Sequence, residues 1–369
     1  MTSFKNIIYV FAPNTLAGAE RVVLTGLSEL CNLGFSPIII IISESRSPQW
    51  AIDFKEALDP RVTHITISST KAVDRALLTE LKNCLNRYDN SIIHTHGYKA
   101  LILSKLALNK SSSNKIVHTH HGNTSHTLKV KIYEWIAFQA MKKVAAVVAV
   151  STQMKSLLIK HNIPETSISI IDNMLSLKNA SSIRSELKIQ KNQLNELIFI
   201  GRFSPEKGLL HFIKIFSGYK NKDLFNLTLL GDGIERVEIE NIIKEKKLTN
   251  ITFKGFVKNP DIYLSKADFL IMPSFTEGLP MTLIEASAVG LPVLANNVGA
   301  IHSLVQNNFN GILIEKNEAI DWTNALDKVC KEKESFKENA MNKSIKIETQ
   351  YSANTWAKKT IDLYQSLLK

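Results

Sequence analysis

The chain has 369 residues, 44% of them hydrophobic and 21% charged, which is enough for two cores and excludes a largely disordered protein. The formal net charge is +11, of which residues 1–174 carry +7 (19 Lys/Arg against 12 Asp/Glu). That excess suits an anionic acceptor or an anionic membrane face, and not nucleic acid, because no compact basic-aromatic cluster or DNA-binding motif accompanies it.

Cys31, Cys84 and Cys330 are odd in number and include no C-x-x-C pair, so a reducing compartment is expected and a structural zinc is not. The cytoplasm is the expected address. Asn6 to Phe11 reads as a first strand rather than a signal peptide. The longest aliphatic run, Ile38 to Ile42, is too short to span a bilayer and reads as a buried strand.

Further strands are predicted at Ser36–Ile42, Val62–Ile67, Ser91–His94, Lys115–Thr119 and Ala145–Val150. Helical stretches lie between most of them, at Glu20–Leu33, Val73–Tyr88, Lys99–Leu108 and Lys129–Lys142. Ser176 to Leu194 is polar and lacks strand patterning, and is read as a connection. The rhythm then restarts at Leu197–Ile200, Asn226–Leu230, Ile251–Phe253, Phe269–Met272, Val293–Ala295 and Gly311–Ile314. The last segment, Ser352 to Leu368, is an amphipathic helix with Trp356, Ile361, Tyr364 and Leu368 near one face. Strands alternating with helices predict parallel sheets in two doubly wound domains. The expected division is 1–174 and 175–351, with 352–369 packing back on the first domain and a ligand in the cleft between the two.

Two segments carry the chemistry. In Phe275-Thr276-Glu277-Gly278-Leu279-Pro280-Met281-Thr282-Leu283-Ile284-Glu285, one carboxylate precedes a helix and a second lies two turns inside it. Pro280 suits the first helical turn, and Gly290 a left-handed C-terminal cap, with Pro292 beyond it. A helix start offers free N–H groups to an anion, whereas carboxylates beside it serve to accept hydrogen bonds from hydroxyls. The ligand expected is therefore one with both phosphates and sugars. In Gly201-Arg202-Phe203-Ser204-Pro205-Glu206-Lys207-Gly208, an Arg and a Lys stand at a strand end, suited to a diphosphate.

In this order the two segments resemble the retaining family-4 glycosyltransferases of GT-B architecture. Gly231-Asp232-Gly233, Gly255-Phe256-Val257, Pro273-Ser274 and Gly290-Leu291-Pro292-Val293 fit the same frame. So do Gly18-Ala19-Glu20, His94-Thr95-His96-Gly97, Thr119-His120-His121-Gly122 and Ala149-Val150-Ser151. The resemblance covers essentially the whole chain and implies two Rossmann-like domains facing a cleft. It implies a hexosyl or N-acetylhexosaminyl transfer from a nucleotide diphosphate sugar, UDP favoured over GDP, to a glycan or lipid-linked acceptor. Bacterial surface polysaccharide assembly is the expected setting, without a cofactor.

Residue by residue, the resemblance gives Arg202 and Lys207 the donor diphosphate and the leaving group. Glu285 takes the ribose hydroxyls, and Glu277 the hydroxyls of the donor sugar. The amides of Gly278, Leu279, Met281 and Thr282 lie near sugar and phosphates, Phe256 and Val257 near the base, and Gly201 and Gly233 in the donor loops. Gly18, in the loop after the first strand, faces the diphosphate, and His121 approaches the transferred sugar.

The chain departs from the family pattern at Ala17 and Ala300, each standing where relatives have a glycine, and at Met174, which follows Asn173 in place of the hinge glycine. No Asp-x-Asp pair occurs, so no metal is expected, and three-fold ligation by His118, His120 and His121 is awkward on one strand. With no carboxylate placed as nucleophile in the first domain, a front-face reaction is expected, in which the leaving phosphate takes the acceptor proton.

Lys71, Arg75 and Lys82 share a face with Leu78, and Lys129, Lys131, Lys142 and Lys143 flank Trp135 and Phe138; either group could rest on an anionic bilayer. The competing readings are a nucleotide-sugar epimerase and a non-catalytic nucleotide-sugar-binding relative. A hydride-transferring enzyme is excluded, because no Gly-x-Gly-x-x-Gly follows the first strand.

Overall fold

A computed structural model describes residues 6–12, 18–44, 48–69, 75–108, 112–121, 128–175, 180–189, 194–257 and 259–367. The chain divides into two compact units, Met1–Ser176 with Ser352–Lys369, and Leu177–Tyr351.

The first unit holds seven strands: β1 (Ile7–Phe11), β2 (Ile38–Glu44), β3 (Thr63–Ser69), β4 (Ile92–His96), β5 (Lys115–His120), β6 (Ala146–Ala149) and β7 (Ile168–Ile170). They form one sheet in the order β3-β2-β1-β4-β5-β6-β7, and every pair is parallel. Helices cover such a sheet on both faces, which is why β2 can be isoleucine from 38 to 42 with every one of them buried. Ile8, Val10, Ile40, Leu81, Leu101 and Met154 belong to its core.

The second unit holds six strands: β8 (Asn195–Ile200), β9 (Phe225–Leu230), β10 (Ile251–Gly255), β11 (Phe269–Met272), β12 (Val293–Asn296) and β13 (Gly311–Ile314). Their order is β10-β9-β8-β11-β12-β13, again all parallel. Its core is aromatic, built on Phe203, Phe212, Phe216, Phe225, Phe269, Trp322 and Phe336.

Each sheet has one place where the chain reverses its direction of strand addition. In the first it lies between β1 and β4, and in the second between β8 and β11. At such a switch point the loops leaving the two strands part to opposite faces and open a crevice at the strand C-termini.

The terminal helix Ala353–Ser366 packs on Gly18–Asn32 within the first unit. Trp356 lies so close over Gly26 that a Cβ there would stand 2.6 Å from its ring, and the buried Met174 flanks the same spot. Thus a side chain larger than glycine at 174 is accommodated as core. Trp356 and Tyr364 are buried and Ile361 half-buried, while Leu368 lies outside the described residues.

Three sequence expectations change. The segment read as a connection contains a helix, Ala180–Ile189. Phe138 does not flank Trp135 on a surface: it is buried and stacked on His161 at 3.9 Å, whereas Trp135 is 64% exposed. Lys142 and Lys143 lie beyond the helix Leu128–Met141, and the Lys143 carbonyl accepts from Lys105 Nζ. Lys71 lies outside the described residues, as do the side chains of Lys129 and Lys131. Among the described residues no helix is long and apolar enough to cross a membrane.

Candidate active site

In the second unit the segments that carry the chemistry leave β8 and β11, the two strands of the switch point. After β8 the chain passes Gly201, whose N–H donates to Leu230 O, and Phe203, whose N–H donates to Asp232 O. It then makes a single 3₁₀ turn at Pro205–Lys207 and enters the helix Leu209–Gly218 through Gly208. Gly208 sits at φ 65°, and a Cβ there would lie 2.0 Å from Pro273 O of the loop after β11. Only glycine allows both the left-handed backbone and this approach.

Across that contact Lys207 Nζ donates to Glu277 Oε1 at 2.7 Å, and Ser274 Oγ donates to the same oxygen at 2.7 Å. The Glu277 side chain is only 7% exposed. Arg202 is more open and pairs with Glu206 at 3.1 Å. Both cations read from the sequence are therefore present at one strand edge, each held by a carboxylate.

The loop after β11 is fixed from below. Asn296 Nδ2 donates to the carbonyls of Pro273 and Ser274 at 2.9 and 3.1 Å, and Phe275 N–H donates to Glu206 O. Gly299, at φ 56°, lies where a Cβ would come within 2.1 Å of Glu277 O, and Ala300 N–H donates to Gly278 O. Ala300 itself has φ −93°, a conformation open to any residue, so its methyl group imposes no backbone strain.

The helix Met281–Val289 begins one residue later than the sequence indicates, with Pro280 as its N-cap at ψ 137° and not in its first turn. Leu283 and Ile284 both donate to Pro280 O. The N–H groups of Met281 and Thr282 precede them at the helix start, where no carbonyl four residues back is available. Gly290 closes the helix in the left-handed conformation at φ 79°. The side chains of Leu279 and Met281 are buried, so the role expected at these positions would fall to backbone and not to side chains. Glu285 sits in the second turn, 2% exposed.

Phe256 follows β10 with 59% of its surface open, and Val257 beside it is half-buried. Gly233 follows β9 and donates to Asp232 Oδ1 at 2.8 Å. Ser274, Asn296 and Glu206 were not singled out by sequence reasoning. Pro273-Ser274 was part of the motif frame, but nothing in the sequence tells which carboxylate the hydroxyl meets.

In the first unit the switch point is lined differently. Phe11 ends β1 and is paired in register with His96, which ends β4. Gly18 opens the helix Gly18–Asn32 and so lies in its first turn, not in the loop, while Ala17 lies outside the described residues. His94 Nδ1 meets Tyr364 Oη, and His94 Nε2 lies 2.7 Å from Thr119 Oγ1. Tyr364 Oη lies 3.1 Å from Tyr9 Oη, so a buried polar chain ties the terminal helix to β1, β4 and β5. His118 Nδ1 meets Thr95 Oγ1 at 3.0 Å. His121 follows β5, half-buried, with Nε2 3.0 Å from His96 Nδ1.

Burial pushes His94 down to about 3, with His121 adding to the effect. Burial, with neighbouring His120, pushes His121 down to about 4. His96 and His118 are held well below the usual imidazole range by burial and by the imidazoles around them. At neutral pH this edge is an uncharged set of donors and acceptors. Among the described residues no group of three or more His, Cys, Asp or Glu is arranged to hold a metal ion.

Two family models match the chain: glycosyl transferases group 1 over residues 181–346 and glycosyltransferase family 4 over residues 16–178. The chain belongs to these glycosyltransferases. It is 28% identical over 338 residues to the Escherichia coli UDP-Gal:α-D-GlcNAc-diphosphoundecaprenol α-1,3-galactosyltransferase, covering 86% of each. It is 26% identical over 361 residues to an uncharacterized 41.2 kDa protein in the cps region of Klebsiella pneumoniae, covering 92% of this chain and 95% of that one. The Anabaena HepE structure with UDP superposes with a TM-score of 0.79 at 17% identity, covering 98% of this chain and all of that one. The TarM structure matches with a TM-score of 0.80 at 13% identity. The glycosyltransferase has the GT-B fold, built from two parallel-sheet Rossmann-like units.

Proposed function

We propose that this glycosyltransferase moves a hexosyl or N-acetylhexosaminyl group from a nucleotide diphosphate sugar, a UDP-sugar in preference to a GDP-sugar, to a glycan or lipid-linked acceptor, with retention of the anomeric configuration. The observation that carries the reading is the Lys207–Glu277–Ser274 cluster at the β8/β11 switch point, with Ser274 and Glu277 in the loop that leads into the helix start at Met281 and Thr282. Arg202 and Lys207 bind the diphosphate and stabilise it as it departs. Glu277 takes sugar hydroxyls on its second oxygen, because Oε1 already accepts twice. Glu285 holds the ribose, and the open Phe256 face with Val257 meets the base. Gly18 and His121 supply the first unit's share.

The charge that develops on the leaving group is met by two side-chain cations, so the reaction needs no metal and no cofactor beyond the donor. The departing phosphate takes the acceptor proton. A lipid-linked acceptor is favoured by the acceptor in the Escherichia coli relative's name, and a role in capsule, O-antigen, lipopolysaccharide or exopolysaccharide assembly by the cps-region relative. The enzyme then works in the cytoplasm, peripheral to the inner face of the plasma membrane. The basic lean of residues 1–174 and the exposed Ile132, Trp135 and Ile136 support that placement.

The test begins with a panel of UDP- and GDP-sugars screened by thermal stabilisation. The donor that stabilises is then offered with undecaprenyl-diphosphate-linked sugars, and the product anomer is read by NMR. Retention with a UDP-sugar is expected. Inversion, or turnover of donor to an epimer without acceptor, would overturn the proposal. Salt-insensitive failure to bind anionic vesicles would remove the membrane placement alone.

A further inference from the structure

The His96–His121 pair has a polarity that its surroundings decide. His96 is 2% exposed, its ring stacked on Tyr9 at 5.6 Å, met edge-on by Phe11 at 6.1 Å and flanked by His94 at 4.5 Å. It is held in place by packing. Its Nδ1 lies 3.0 Å from His121 Nε2, with the ring centroids 5.3 Å apart. Between two neutral imidazoles such a contact needs one proton, and each ring carries one, so only two arrangements exist.

In the first, His121 Nε2–H donates to His96 Nδ1, and His96 must then carry its own proton on Nε2. That atom is buried and has no hydrogen-bond partner among the described residues. A donor would be stranded in the core. In the second, His96 Nδ1–H donates to His121 Nε2, and His96 Nε2 is left as a bare lone pair. Stranded buried N–H groups are rarer than under-used acceptors, which favours the second arrangement.

We propose that His96 is a positioning residue for glycosyl transfer, donating from Nδ1–H to His121 Nε2 and so fixing His121 as the tautomer with its proton on Nδ1; this rests on the reading of His121 as the sugar-facing residue of the first unit. Two consequences follow. No hydrogen bond engages His121 Nδ1 among the described residues, so that atom offers a sugar oxygen a hydrogen-bond donor. Neither nitrogen of His121 is free to take a proton while the pair holds, which agrees with the leaving phosphate, and not a histidine, accepting the proton of the acceptor hydroxyl.

The experiment is nitrogen NMR on the intact protein labelled with ¹⁵N-histidine at pH 7.5, the His121 signals being assigned by their loss in His121→Ala. A pyridine-type Nε2 and a pyrrole-type Nδ1 in His121 are expected; the reverse pattern overturns the proposal. Kinetics give a second reading. Asn places an amide N–H where His96 Nδ1 stands, Gln places it where Nε2 stands, and Phe removes it. His96→Phe and His96→Gln should each lower kcat about tenfold or more, with donor KM little changed, and His96→Asn should restore most of the loss. Equal turnover in the Asn and Phe variants, both with wild-type circular dichroism and melting, also overturns it. Should a variant fail to fold, the wild-type nitrogen shifts decide alone. If His121→Ala leaves turnover unchanged, the reading of His121 fails, while the nitrogen shifts still decide what His96 does.

Discussion

The two switch points occupy equivalent places in their sheets and are built from opposite materials. At β8/β11 the edge is charged and close-packed: Lys207 on Glu277, Arg202 on Glu206, and glycines at 208 and 299 that let one loop's backbone touch the next. At β1/β4 the edge is neutral and aromatic, with Tyr9, Phe11, His94 and His96 in ring contact and His121 at the rim. The difference teaches a division of labour. On the proposed function, preorganised charge and helix-start amides would stabilise the anion that develops, whereas neutral imidazoles would hold hydroxyls without drawing protons from them. One fold, used twice in one chain, supplies both environments through what is placed after two strands.

Acid should break the comparison most sharply. His94, held at about 3, is neutral in the folded state at pH 5, while the unfolded chain takes up a proton there at the ordinary value of 6.5. Its contribution to stability is complete above about 6.5 and falls as pH falls toward 3. The loss from His94 alone is about 2 kcal/mol at pH 5, and His96 and His118 act in the same direction. The second unit has only His211 and His302, neither of them buried. Hydrogen exchange, corrected for intrinsic rates, should therefore show β4 and β5 losing protection between pH 7 and 5 before β8 and β11 do. Equal losses in both sheets would contradict this.

The next largest effect lies at the charged edge. Lys207→Ala should lower turnover by about 10²-fold or more, since a fixed donor is lost from the group that meets the developing charge. The same substitution leaves Glu277 Oε1 with Ser274 as its remaining described donor, so donor affinity should fall with it. Steady-state kinetics with the cognate donor check both. Unchanged turnover in a folded Lys207→Ala variant would falsify the assignment.

Much of this was legible in the sequence because it is periodic or local. All six strands of the second unit follow from aliphatic runs between turn residues, and Gly290 declares its cap. The charged edge was legible because Arg202 and Lys207 stand at a strand end ahead of the Glu277/Glu285 segment, an order that neither segment shows alone. What stayed hidden depends on contacts between distant segments. Nothing local marks Ser274 as a donor to Glu277, Asn296 as a clamp on Pro273 and Ser274, or His94 as a partner of Tyr364, 270 residues away. Phe138 misled because an aromatic among lysines reads as a surface anchor, while its own helix turns it to the core. Ala300 counts as a departure from the family pattern when the glycine pair is read as a unit, yet of the two positions only Gly299 has a positive φ.

That pair offers a smaller, sharper test. Gly299→Ala should destabilise the second unit by about 1–3 kcal/mol, because a non-glycine residue at φ 56° is strained and the new Cβ meets Glu277 O. Ala300→Gly should cost only a few tenths to about 1 kcal/mol, through the added freedom of the unfolded chain. Urea melts of the two variants side by side separate backbone demand from motif habit. Equal destabilisation would mean that the loop yields at 299.

The smallest effect tests whether Glu277 is held by one group or by two. Ser274→Ala removes one hydrogen bond to Oε1 and leaves Lys207 in place, and the pair remains largely shielded from water. A bond to a charged acceptor is worth about 1.5–3 kcal/mol, but Lys207 continues to satisfy the oxygen, so the loss should fall below that range. If Ser274 only steadies the carboxylate, donor KM should rise several-fold with kcat close to wild type, because the hydroxyl-holding geometry loosens before the cations do. If kcat falls as steeply as in Lys207→Ala, Ser274 acts in the transition state as well, and the charged edge is a three-membered device in which the serine hydroxyl, the ammonium and the carboxylate move as one.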